Sequence, residues 1–142
     1  MKTVTWEKLA EEIKIDGKFR DISDPAYVGP GTWYYIHKES FLAQNHQDQL
    51  NFIVKMKQIC KEFPCKVCSG HCQEYIKANP MEEYVDMKII RDGKELDNGL
   101  FLWSWRFHNV VNKRLGKSLM TFANAYKIFS DDSCSEVCMV SK

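Results

Sequence analysis

Apolar positions along this chain recur mostly in helical steps. "TWYYIHKESFLA" (32–43) sets Trp33, Ile36, His37 and Phe41 on one stripe, with Thr32 placed as a cap after the Gly29-Pro30-Gly31 break. In 47–63, Leu50, Ile53, Val54, Ile59, Cys60 and Phe63 follow at roughly helical spacing. Pro64 suits the first position of another helix. There Cys65, Cys68, Cys72, Tyr75 and Ile76 advance by threes and fours and so share a face, until Asn79-Pro80 ends it. A long helix is predicted over 98–116, with Leu100, Trp103, Phe107, Val111 and Leu115 inward and Gly116 as its stop. A last helix covers 118–129, carrying Leu119, Phe122, Tyr126 and Phe129. Two stretches break the pattern: 13–22 and 88–97 each hold Asp-Gly between β-formers, the mark of a short hairpin or loop insertion. The expectation is an all-α fold, a bundle of four to five helices over 29–130. Residues 1–28 form an N-terminal extension and 131–142 a polar, flexible tail.

Composition narrows the function. A chain of 142 residues suffices for one domain with its own core. Its 20 basic and 19 acidic residues leave a net charge of +1, which gives no electrostatic reason to expect nucleic acid. No apolar run approaches a membrane span. The N-terminal stretch is charged throughout and lacks the apolar core of a signal peptide, so an intracellular location is expected. Six cysteines, at 60, 65, 68, 72, 134 and 138, are many for a reducing compartment. They point to metal binding or catalytic thiols.

Cys65-Lys66-Val67-Cys68 is the first candidate. Two thiols at this spacing can close a disulfide, and a helix N-terminus beside Lys66 favours a thiolate there. The alternative is a zinc-stabilised interaction module, with His71 or Cys72 and the distant Cys134 and Cys138 as further ligands. That reading is weaker, because Cys134-x3-Cys138 is a loose second knuckle on a polar tail. "LWSWRFHNVVNKRLGK" (102–117) decides between them. His108, Val111, Asn112 and Leu115 share a helix face, Trp103 lies on a neighbouring stripe, and Lys113, Arg114 and Lys117 cluster where an anionic group could dock. A thiol pair with such a wall suggests a flat aromatic cofactor carrying phosphates.

These residues resemble a known family. Trp103…His108-Asn109-Val110-Val111-Asn112…Leu115-Gly116-Lys117 is similar to the "W…HN.VN..LGK" signature of the Erv/ALR flavin-linked sulfhydryl oxidases. Phe63-Pro64-Cys65-Lys66-Val67-Cys68-Ser69-Gly70-His71 resembles that family's "YPCxxCxxH", and Gly29…Trp33…His37 its "GxxxW…H" opening. The resemblance implies a helical bundle holding FAD, oxidising protein dithiols with oxygen as acceptor, often as a homodimer. It assigns Cys68 as the flavin-proximal thiol that carries the charge-transfer thiolate, and Cys65 as the thiol exchanging with substrate. Gly29, Trp33, His37, His71, Trp103, His108, Asn109, Val111, Asn112, Leu115 and Lys117 match positions lining the FAD site, with Tyr126 and Phe129 as adenine neighbours. No metal is implied. The short length looks most like members from large cytoplasmic DNA viruses, which would place the protein in the host cytoplasm and the virion.

The chain also departs from the family. Many relatives carry a Cys-x16-Cys staple where this chain has Trp105 and Phe122, read here as a packing substitute. Pro30 replaces a commonly found arginine. Cys60 and Cys72 are expected to be inert core residues, since free cysteine behaves as a small hydrophobe. By resemblance, Cys134 and Cys138 are a flexible shuttle pair relaying electrons to Cys65–Cys68.

Overall fold

The computed structural model describes residues 25–130 and, nearer the N-terminus, positions 3, 5, 7 and 8. The hairpin expected at 13–22 and the pair Cys134 and Cys138 lie outside the described residues. Five α-helices are found among them: α1 (Pro25–Leu42), α2 (His46–Glu62), α3 (Lys66–Ala78), α4 (Gly99–Arg114) and α5 (Phe122–Ser130). Between α3 and α4 lie a 3₁₀ turn (Met81–Tyr84) and a hairpin of β1 (Ile89–Arg91) and β2 (Lys94–Leu96). The all-α bundle is therefore as expected, and so is the insertion at 88–97. Its strands pair antiparallel with Ile89 opposite Leu96, and Asp92 and Gly93 both take positive φ, as a tight two-residue hairpin turn requires.

α1 packs along α4, and α2 against α3. Between them sits a core of Ile36, Phe52, Met56, Met81, Leu100, Trp103 and Phe107. A smaller cluster of Phe41, Phe101 and Ala125 seats α5 through Phe122, Tyr126 and Phe129. Trp105 meets Phe122 edge to face at 5.4 Å, a packing contact that joins α4 to α5. Gly99 opens α4 against the 3₁₀ turn, where a Cβ would lie 2.3 Å from the Tyr84 carbonyl oxygen. Only glycine permits that approach.

Several boundaries and faces differ from expectation. α1 begins at Pro25 rather than at Thr32. Proline is well suited to a first helical position, and the Thr32 hydroxyl donates back to the Val28 carbonyl at 2.9 Å instead of capping. The Gly-Pro-Gly segment is thus carried inside the helix. In α2 the buried face is Gln49, Phe52, Ile53, Met56 and Cys60, whereas Leu50 and Val54 are exposed. The four-residue steps Phe52–Met56–Cys60 centre the stripe, which leaves Leu50 and Val54 on the far side. Pro64 precedes the cap of α3 rather than opening the helix, because Cys65 itself is the cap. Leu115, expected inward, is exposed at the end of α4, and Leu119, expected on the last helix, is exposed ahead of it, since α5 begins at Phe122.

Candidate active site

Cys65 is the N-cap of α3, in extended backbone, and its Sγ accepts a hydrogen bond from the Cys68 amide at 3.3 Å. A sulfur there takes the place usually held by a serine or aspartate oxygen, at the positive end of the helix dipole. Cys65 and Cys68 are both free thiols, partly exposed. The hydrogen bonds from the Cys68 thiol and amide hold the Cys65 thiol below its ordinary pKa, with a smaller contribution from Arg114. Burial pushes Cys68 up to about 11, assisted by the bond it makes to Cys65. In the dithiol state the chain therefore places the negative charge on Cys65. A thiolate at Cys68, which the family resemblance implies, would have to be supported by a bound group rather than by the protein.

Cys60 and Cys72 are buried as expected, but they are not inert free thiols. They form a disulfide joining the last turn of α2 to α3, with Cα atoms 5.5 Å apart and a sequence separation of 12. Two helices packed side by side bring these positions within bonding reach. The Ser69 hydroxyl donates to the Cys60 carbonyl at 2.5 Å and adds a second tie across the same seam.

Cys68 and the Cys60–Cys72 pair border a cavity of about 710 Å³, within the roughly 300–1,000 Å³ of small-molecule sites. Its walls include Trp33, Ile36, Met56, Phe107, His108 and Phe129, and Arg114 and Lys117 belong to the same lining. The Trp33 and His108 rings are stacked 3.9 Å apart and nearly parallel. Behind them His37 Nε2 meets His108 Nδ1 at 2.8 Å, and His37 Nδ1 meets Ser104 Oγ at 3.0 Å. Burial, then the neighbouring His108, lowers the His37 pKa to about 3. Burial, then Lys117, lowers that of His108 to about 4. Both imidazoles are neutral at physiological pH.

Most of the residues expected at the site line this cavity: Gly29, Trp33, His37, Cys68, His71, His108, Asn109, Val111, Asn112, Leu115, Lys117 and Phe129. Cys65, Trp103 and Tyr126 do not. Trp103 is fully buried in the core, and its indole N–H donates to the Asn79 carbonyl at 2.8 Å, tying α4 to the end of α3. Tyr126 packs on Phe41 and lies under the Arg91 guanidinium. Asn109 lines the cavity while spending its amide on both backbone groups of Met120. Sequence reasoning missed Ile36, Met56 and Phe107 as wall, since apolar helix positions carry no sign of facing a cavity rather than a core. Arg114 was legible within the basic cluster. Zinc ligation finds little here, because Cys72 is bonded to Cys60. Among the described residues no group of three or more His, Cys, Asp or Glu converges as metal ligands would.

The donor set suits the FAD that the resemblance implies. Stacked aromatic walls match a planar ring system, and Cys68 opens onto the same space. Arg114 and Lys117 make no ion pair with a carboxylate among the described residues, and this leaves cations for a diphosphate.

Fold and site together define a helical bundle built for dithiol chemistry beside a planar-cofactor cavity. Comparison with known proteins agrees. The model of the Erv1/Alr family matches residues 30–130, and the chain belongs to that family. It is 33% identical over 109 residues to the putative FAD-linked sulfhydryl oxidase 347L of Invertebrate iridescent virus 6, covering 73% of this chain and 93% of that one. It is 24% identical over 104 residues to the FAD-linked sulfhydryl oxidase of an African swine fever virus isolate, covering 71% and 78%. The FAD-linked sulfhydryl oxidase ERV1 of rice is 29% identical over 114 residues, and there the match spans 77% of this chain and about half (52%) of the relative. In fold the chain is similar to the yeast Erv1 core, with a TM-score of 0.62 and 24% identity over 84% of this chain and 91% of that one.

Proposed function

We propose that this protein is an FAD-linked sulfhydryl oxidase acting on protein dithiols. The observation that carries the reading is the free Cys65-x-x-Cys68 pair, with Cys68 lining an aromatic cavity and the charge directed to Cys65, outside that lining. One substrate thiolate attacks Sγ of Cys65 in the oxidised pair, and the Cys65–Cys68 bond breaks to leave Cys68 reduced. The second substrate thiol then attacks the mixed disulfide, releasing an oxidised substrate and a Cys65 thiolate. Two electrons and one proton have moved from substrate to the pair, the proton resting on Cys68. Low basicity makes Cys65 a good leaving group in that second step, and the Cys68 amide and thiol hold the charge it takes up. FAD, when bound, would supply a two-electron acceptor for the Cys65–Cys68 dithiol, with oxygen as the final acceptor and hydrogen peroxide as the product. Trp33, His108 and Phe107 would hold its rings, with Arg114 and Lys117 toward its phosphates.

The test is the visible spectrum of the purified protein. A yellow preparation that bleaches on anaerobic addition of dithiothreitol is expected. Colourless protein that added FAD does not reconstitute would end the reading.

Two further roles rest on it. Cys134 and Cys138 serve as the shuttle pair: changing both to serine slows oxidation of a reduced protein far more than of dithiothreitol, and equal slowing would remove the role. The protein acts as a homodimer, a reading supported by exposed Leu42 and Val54 on α1 and α2 (54% and 70%). Sedimentation of the wild type and of Val54→Glu should give dimer and monomer; a monomeric wild type refutes it.

A further inference from the structure

The buried hydrogen bonds behind the cavity wall run in one direction. Ser104 Oγ has three neighbours: the Phe101 carbonyl at 2.8 Å, Ser40 Oγ at 3.0 Å and His37 Nδ1 at 3.0 Å. A carbonyl oxygen only accepts, so the single Ser104 proton goes to Phe101; otherwise two oxygens would face each other at 2.8 Å with no proton between them. The Ser40 hydroxyl faces the His37 carbonyl at 3.0 Å as well, and by the same rule its proton goes there, so the proton Ser104 accepts is that of His37. With its proton on Nδ1, neutral His37 offers a bare Nε2, which must accept from Nδ1–H of His108 across 2.8 Å. His108 is left with a bare Nε2. No buried side-chain nitrogen or oxygen among the described residues lacks a partner, and His108 Nε2 makes no hydrogen bond with any of them, so it is accessible where the ring lines the cavity.

We propose that Ser104 and His37 are positioning residues that lock His108 in the Nδ1–H tautomer, so that it presents a hydrogen-bond acceptor to the cofactor. The group that meets His108 is therefore a donor, a hydroxyl, amino or ring N–H, and not a phosphate oxygen or a carbonyl. The burial that keeps both rings neutral preserves the lone pair. Ser104 is fully buried on α4 and touches no ligand; its influence passes through His37, 67 positions earlier in the chain. Naming the ligand rests on the flavin reading, whereas the tautomers do not.

The experiment is histidine nitrogen NMR on the purified holoprotein, labelled with ¹⁵N at histidine. His37 and His108 should each show a protonated Nδ1 and an unprotonated Nε2. Nε2–H on His108 overturns the proposal, whatever the oxidase activity. In Ser104→Ala the acceptor for His37 Nδ1–H is gone, and the chain should reverse to Nε2–H on both rings. Flavin retention should weaken about tenfold, the worth of one hydrogen bond. A Ser104→Ala holoprotein with unchanged tautomers refutes the positioning role, and if that variant does not fold, the wild-type spectrum alone decides.

Discussion

Two cysteine pairs lie within a few residues of each other and do opposite things. Cys60 and Cys72 are buried, 1% and 9% exposed, in the seam between two helices, and they are bonded. Cys65 and Cys68 sit between them in sequence, on the cap and first turn of α3, and they are free. The outer pair ties α2 to α3. The inner pair is displayed by the turn so tied. A thiol becomes reactive when a helix N-terminus and hydrogen-bond donors stabilise its anion and solvent reaches it. It becomes structural when apolar packing denies it both. α4 and α5 are joined by the Trp105–Phe122 ring contact instead, so the covalent tie among the described residues lies next to the reactive pair.

The sharpest way to break the contrast is to remove one reactive thiol. Cys65→Ser or Cys68→Ser should abolish turnover, by at least about 10³-fold, in an oxygen-consumption assay with dithiothreitol, while helix content by circular dichroism is unchanged. Changing Cys60 and Cys72 together to serine should act on stability instead. A loop of this length predicts a loss of about 3 kcal/mol, seen as a fall in melting temperature of roughly 10 °C. Turnover well below that temperature should fall far less than on losing a reactive thiol. A smaller effect separates the two reactive thiols. After mild reduction near neutral pH, iodoacetamide should modify Cys65 about tenfold faster than Cys68, given their opposite pKa shifts, as read by peptide mass spectrometry. Cys60 and Cys72 should react only after unfolding.

A last effect concerns the wall of the cavity that Cys68 lines. His37 and His108 stay neutral in the fold down to about pH 3 and 4, but charge in the unfolded chain below about 6.5. Between those values the unfolded state binds more protons, so stability is intact above pH 6.5 and declines as pH falls. Each histidine contributes at most about 1.4 kcal/mol per pH unit. Urea midpoints measured from pH 7 to 5 should fall for the wild type, and less steeply for His37→Asn.

Much of the site was legible because its signals are local. Cys65-x-x-Cys68, and the run from His108 to Lys117, need only the helical repeat to bring their residues together. Trp103 shows where that reasoning stops: its place in the motif is right, yet its ring turns to Tyr75 and the Asn79 carbonyl rather than to the cavity. One residue of phase in α2 likewise exchanged Leu50 and Val54 for Phe52 and Met56 in the core.

By itself, then, the sequence determined the helical class, the hairpin at 88–97, the reactive pair at a helix start and the order of the wall residues. Periodicity, capping and turn chemistry act over a few residues and can be read in place. Tertiary structure alone decided that Cys60 pairs with Cys72, that Ser104 reaches His37, and which aromatic rings face the cavity. Each of those outcomes depends on how two separately formed helices pack, and no short stretch of either helix carries that information.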